Sequence, residues 1–169
     1  PFIHAGEEML RLKIKPNGSF DENSYRSSDA VNSIKWDKLE EQMYADTSAY
    51  YAGLIAFRKA HPALRYTTAA QIAQNVHTKD GTGLSLQFQI SGTAAGDMAE
   101  SIYVIFNGST SSVTATLPSG SWGVCIDANT AGTEILRSVS GNATVAPISA
   151  TVLAQNQTAA SEGSTHYKT

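Results

Sequence analysis

The sequence is most informative at first through what it has little of. It has one cysteine, Cys125, which excludes an intramolecular disulfide and any cysteine-based metal cluster. Charged residues make up 16% of the chain, below the usual quarter, and the net charge is −3, so no basic surface for nucleic acid is expected. No apolar run approaches the ~20 residues that span a bilayer, and no membrane contact is expected. Neither a nucleophile–histidine–carboxylate spacing, nor a phosphate-binding glycine loop, nor a run of metal ligands occurs. His4, His61, His77 and His166 are scattered. No cofactor or metal is therefore expected. The chain opens at Pro1 without methionine or leader, and this start reads as a cut piece of a longer protein. A second half rich in Ser, Thr, Ala, Gly, Asn and Gln and poor in Lys suits a secreted or cell-surface protein somewhat better than a cytoplasmic one.

What is present falls into two periodicities. Residues 1–66 read as strand, long loop and helix. Residues 67–155 read as short strands punctuated by turns, and residues 156–169 as a polar, frayed tail. Pro1–Ala5 is a short apolar run ended by Gly6, consistent with a buried strand. The helix is expected over about 46–60. Asp46, Thr47 and Ser48 suit an N-cap, and Tyr50, Leu54 and Phe57 form a stripe at i, i+4, i+7. Arg58, Lys59 and His61 place cations in the last turn, and Pro62 stops it. His61 is read there as a helix-end cation. Residues 68–74 allow one short helical turn.

Beyond it the period becomes two. Leu84, Leu86, Phe88 and Ile90 alternate with polar residues, while Ile102–Phe106 is apolar on both faces and should be a central strand. Further strands at Val113–Leu117, Trp122–Ile126, Ile135–Val139, Ala143–Ala146 and Ser149–Leu153 complete seven or eight, the signature of an antiparallel β-sandwich. Cys125, inside this alternation, reads as a packed thiol.

Two clusters could carry chemistry. Glu7 and Glu8 are adjacent carboxylates, but a retaining glycosidase needs two carboxyl groups ~5–5.5 Å apart facing one bond, and strand neighbours face opposite ways. A structural role is expected for both. Asp21, Glu22, Asn23, Tyr25, Arg26 and Asp29 combine carboxylates, an amide, a guanidinium and one aromatic ring. That composition suits sugar recognition, and it equally suits a solvated loop held by Asx turns.

The segments PFIHAGEEMLRLK (1–13), ENSYRSSDAVNSIKW (22–36) and YYAGLIAFRKAHPALR (50–65) resemble, in order and spacing, the end of the catalytic barrel in type I pullulanases, debranching members of the α-amylase superfamily of glycoside hydrolases. The β-rich remainder is similar in pattern to that family's C-terminal domain. Lys35 departs from the family, which often has an acidic or amide residue before the Trp. The resemblance implies a mainly β chain: a C-terminal antiparallel β-sandwich preceded by the last strand, loop and helix of a (β/α)8 barrel. It implies that residues 6–45 line a glucan cleft, since barrel sites sit at the strand ends and following loops. Asn23, Tyr25 and Asp29 would contact substrate or support the cleft, and Glu7 and Glu8 would brace the barrel mouth.

The parent would hydrolyse α-1,6-glucosidic linkages in pullulan, starch or glycogen. The catalytic carboxylates of the family lie on earlier strands, so this chain alone should be inactive. Its expected partners are an α-glucan and the missing N-terminal barrel of the same protein. Residues 1–45, deprived of that barrel, should be disordered or non-native, or pair in a homodimer. The alternative is an independent carbohydrate-binding β-sandwich.

Overall fold

The computed structural model describes residues 2–156. The polar tail expected over 156–169 lies, beyond Asn156, outside the described residues. Two compact units divide the chain, Pro1–Ala52 and Gly53–Thr169, so the division falls inside a helix.

In the first unit the described residues 2–5 of the expected Pro1–Ala5 strand form no strand. Residues 2–4 have no regular structure, and the chain turns into a 3₁₀ segment, Glu7–Met9. The physical reason is that a barrel strand takes its hydrogen bonds from neighbouring strands, and here it has none beside it. Defined turns follow over residues 2–45. Lys15 and Ser19 close the Pro16–Ser19 turn by a 2.9 Å backbone bond, with Gly18 at φ 84. Asn17 Oδ1 accepts the Ser19 amide within it at 3.1 Å, and Ile14 and Phe20 bridge across it. A 3₁₀ segment Ser24–Arg26, a single helical turn α1 (Asp29–Asn32) and a 3₁₀ segment Trp36–Glu40 lead to helix α2 (Gln42–Ala60). α2 begins four residues before the expected start. Thr47, one of the expected caps, lies inside it and donates its hydroxyl back to the Met43 carbonyl at 2.8 Å, a habit of helical Thr.

The second unit begins inside α2 and is built on the β domain. Gly53 is there because a Cβ would fall 1.9 Å from the Ala131 carbonyl oxygen. Phe57 and His61, both buried, pack ring to ring at 4.1 Å. His61 is no exposed helix-end cation. Its ring is fully buried, and Nδ1 lies 2.7 Å from Asp97 Oδ1. Asp97 also accepts the amides of Ala63 (3.1 Å) and Ala99 (2.9 Å). The cation on the closing carbonyls is Arg65, which donates to Arg58 O, Lys59 O and His61 O. After the 3₁₀ segment Pro62–Arg65, helix α3 (Ala69–Asn75) starts with a capping box. Thr68 accepts the Gln71 amide, and Gln71 reaches back to the Thr68 amide.

Six antiparallel strands follow: β1 (Val76–Asp80), β2 (Ser85–Ser91), β3 (Ser101–Asn107), β4 (Val113–Ile126), β5 (Arg137–Val145) and β6 (Ser149–Gln155), in the order β1-β2-β3-β6-β4-β5. The chain is mainly β, as expected. The strand inventory differs because Val113–Leu117 and Trp122–Ile126 are one long β4, bulged between Thr116 and Ser121, and the expected Ile135–Val139 and Ala143–Ala146 merge into one β5, Arg137–Val145. β1 is an edge strand that no alternation signals. β3 is central, between β2 and β6.

A register irregularity between Thr116 and Ser121 separates two stretches of β4 that both face the core. Ala115, Leu117, Ala143 and Val145 join Tyr103, Ile105, Trp122, Val124 and Leu153 in one core on the single hydrogen-bonded sheet. Tyr103 and Trp122 meet edge to face at 5.8 Å, and each satisfies its polar tip. Tyr103 donates to Gln87 Oε1 at 2.9 Å and Trp122 Nε1 to Pro118 O at 3.0 Å. Gln87 is accordingly buried while Leu86 on the other face is half exposed, the reverse of what the β2 alternation suggests at that end. Cys125 is fully buried, and burial pushes its thiol up to about 11.

Candidate functional site

The polar cluster of the sequence is organised by residues on either side of it. Gly6 sits at φ 92, and a Cβ there would meet Arg11 Cδ at 2.5 Å. With that space open, the Arg11 side chain crosses the turn. It donates from Nη1 to Ala5 O at 3.0 Å and from Nη2 to Asn32 O. Asn32 in turn donates from Nδ2 to Ser24 O (2.7 Å) and Ser27 O (3.0 Å). Lys13 reaches Ser24 Oγ at 2.7 Å. The Ser27 hydroxyl bonds Asp21 Oδ2, which holds the Asp21 carboxyl below its usual range, with Lys15 adding to the effect. Charge-assisted and side chain-to-backbone bonds of this kind fix a loop that has no ladder of its own. Arg11, Lys13 and Asn32 are thus the residues that shape the loop. None was singled out by composition. The signal that could have found them is the spacing of the three segments, in which each recurs.

The loop presents Asn23, Tyr25 and Asp29 outward. Tyr25 is 80% exposed and Asn23 and Asp29 are exposed. Asn23 precedes the 3₁₀ segment without making a side-chain cap bond, and Asp29 opens α1. Glu7 accepts the Tyr51 hydroxyl at 3.0 Å and the His4 amide at 3.2 Å, and that bond to Glu7 raises the Tyr51 pKa. Glu8 accepts the Gly6 amide at 3.0 Å. The two carboxylates therefore close their own turn, in a 3₁₀ segment rather than on a strand. Lys35 bonds Ala30 O and Ser33 Oγ within the same loop.

A concavity of about 360 Å³ opens beside this loop, walled by the apolar Leu12 and Phe20 and by His4, Glu7, Arg11, Lys13 and Asp21. Asn23, Tyr25 and Asp29 do not line it. A second, more apolar hollow of about 280 Å³ includes Leu10, Leu12, Ile14, Ile34 and Tyr44. Among the described residues no group of three or more His, Cys, Asp or Glu could hold a metal ion, and no helix is long and apolar enough to cross a membrane.

Comparison with known proteins gives this arrangement its class. The family described as "Pullulanase, all-beta domain" matches residues 72–130. The curated relatives are debranching hydrolases of two kinds. The pullulanase of Bacillus subtilis (strain 168) is 35% identical over 118 residues, spanning 70% of this chain and 16% of that protein. An isoamylase of a Flavobacterium species is 33% identical over 138 residues, with 70% and 17% covered. The chain is thus similar to a portion of pullulanases and isoamylases, and the family model that matches it is of pullulanases. Among solved structures it superposes on the pullulanase of Bacillus acidopullulyticus with a TM-score of 0.84 at 35% identity, covering 92% of this chain and 18% of that one. On the type I pullulanase of B. subtilis complexed with maltose the TM-score is 0.78 at 29% identity, covering 92% and 21%. The chain spans about a fifth of the solved chains and a sixth of the curated relatives.

Proposed function

We propose that this chain is part of an enzyme that hydrolyses α-1,6-glucosidic linkages in pullulan, starch or glycogen, and that within it residues 6–45 form one wall of the glucan cleft. The observation that carries this reading is the Arg11–Asn32–Ser24 network. It fixes the backbone of the Asn23–Asp29 loop while leaving an 80% exposed Tyr25 and two unbonded polar side-chain types facing solvent. A loop so firmly tied at its base and so open at its tip suits recognition of a polyhydroxylated ligand. Related pullulanases have been solved with maltotriose and maltotetraose bound. Asn23, Tyr25 and Asp29 are the substrate-facing residues in this reading, and Glu7 and Glu8 brace the mouth of the cleft. The rest of the same polypeptide is the partner that completes it; a homodimer formed through the same surfaces is the competing arrangement.

The chain by itself is inactive in this reading. Glu7 and Glu8 are committed to local bonds, and the β domain is structural. An independent carbohydrate-binding module gains no support, because Tyr103 and Trp122 are buried at 1% and 0% exposure and no row of exposed Trp or Tyr lies on the described strands. Incubation of the chain with pullulan should release no reducing sugar; sustained turnover would overturn the reading.

A further inference from the structure

Arg58, in the last turn of α2, is a half-buried cation without a counter-ion. Its Nη1 donates to Leu64 O at 2.7 Å. Among the described residues no carboxylate pairs with it, and its Nε–Nη2 edge bonds nothing else there. The nearby carbonyls at the helix end are already taken by Arg65. A guanidinium held in place with one edge open is shaped to take a carboxylate on that edge, through two parallel N–H···O bonds.

Arg58 is also the one charged side chain on the wall of an otherwise apolar cavity of about 340 Å³, which lies wholly within the second unit. The sheet contributes Val76 of β1 with Phe88 and Ile90 of β2. Val76 pairs with Ile90, and Phe88, two residues earlier, shares that face. Helix α3, started by its capping box, adds Ile72. Ala63, Leu64 and Tyr66 complete the wall. The Tyr66 hydroxyl is engaged by Ser91 O at 2.6 Å, so Tyr66 offers its ring. The volume falls at the low end of the ~300–1,000 Å³ range of small-ligand sites. Burial, and then the charge of Asp97, raises the Tyr66 pKa. The Asp97 carboxylate is itself shared by His61 and the amides of Ala63 and Ala99. Its negative charge favours a singly charged ligand over a phosphate.

We propose that this cavity is a binding site for a small monocarboxylate with an apolar body, the carboxylate on Arg58 and the body against Ile72, Phe88 and Ile90. The site is independent of the glucan reading, which rests on residues 6–45.

The test is titration of the isotopically labelled chain with octanoate and, separately, with octanamide, which has the same apolar body and no charge. With octanoate, the methyl signals of Ile72, Val76 and Ile90 and the Arg58 Nε–H signal should move together and saturate. Octanamide should bind about tenfold more weakly, equivalent to about 1.4 kcal/mol. Arg58→Met should abolish that preference. Because Arg58 also holds Leu64 O, Ile72→Ala serves as a second variant: Ile72 is 47% exposed and stands outside that bond. It should weaken acid and amide by the same factor and keep the preference for the acid. Equal affinity for acid and amide in the unaltered chain would overturn the proposal, as would an Arg58→Met chain that still prefers the acid or an Ile72→Ala chain that binds both unchanged. Shifts that never saturate, or that are confined to the exposed Leu84, Leu86 and Ile148, would mean adsorption to the sheet surface and would overturn it too.

Discussion

The Pro1–Ala52 unit and the unit that begins at Gly53 contain similar proportions of apolar residues but use them differently. In the second, Tyr103, Ile105, Trp122, Val124, Val145 and Leu153 disappear into one core. Backbone polarity is satisfied there by ladders between neighbouring strands. In the first, Phe2, Leu12, Phe20, Tyr25 and Trp36 are all more than half exposed, and order comes from side chains reaching to backbone carbonyls. The lesson concerns what each kind of order is good for. A core makes a domain that stands up to change on its surface. A web of Arg, Lys and Asn bonds fixes the course of a loop while leaving its side chains free to meet something else.

The comparison breaks most sharply at Trp122. Trp122→Ala removes the largest fully buried side chain, its edge-to-face contact with Tyr103 and its bond to Pro118. It should cost about 3–5 kcal/mol, measured as a fall in the urea midpoint of the β domain. Next comes Asp97→Ala, which leaves His61 Nδ1 and the amides of Ala63 and Ala99 without their shared acceptor. A loss of roughly 3 kcal/mol is expected in the same measurement. If the carboxylate were a dispensable surface charge, the loss would stay below about 0.5 kcal/mol.

Asn32→Ala sharpens the contrast from the other side. It removes both bonds to the Ser24 and Ser27 carbonyls, a loss of about 1–2 kcal/mol in local stability. It should speed amide exchange in residues 24–33 and leave the midpoint of the β domain where it was. The smallest effect has the opposite sign. Ile148 holds φ 46 while 68% exposed, a left-handed conformation that costs a β-branched residue about 1–2 kcal/mol. Ile148→Gly should raise the melting temperature by a few degrees, in line with about 1 kcal/mol.

Much of this was legible beforehand where the signal is local. The helix α2, the existence of strands β2 and β4 and the two-faced apolar run of β3 each declare themselves within a few residues. So does the packed state of Cys125. What failed was non-local. His61 looks like a helix-end cation until Asp97, 36 residues away, is brought against it. Arg65, which does meet the helix-end carbonyls, lies past the proline and so outside the helix pattern. The Pro1–Ala5 run has the composition of a strand, but strand formation depends on neighbours that composition cannot supply. β4 and β5 each look like two strands because a bulge and glycines interrupt the alternation without interrupting the pairing.

At the site, the exposed Asn23, Tyr25 and Asp29 were readable as a polar cluster. Arg11, Lys13 and Asn32 were not, because their importance lies in reaching distant carbonyls. Phe20 gave no sign at all: one aromatic after a turn is indistinguishable from a core anchor until its exposure is known.

Residue-by-residue amide hydrogen exchange at neutral pH tests the central contrast most directly. The account predicts the slowest exchange at Tyr103–Ile105, Val124 and Leu153, set by global unfolding of the β domain. It predicts exchange at Ser24–Ser33 that is faster by orders of magnitude and is slowed by maltotetraose. Equal protection of Ser24–Ser33 and Tyr103–Ile105 in the free chain, with no response to the sugar, would contradict it.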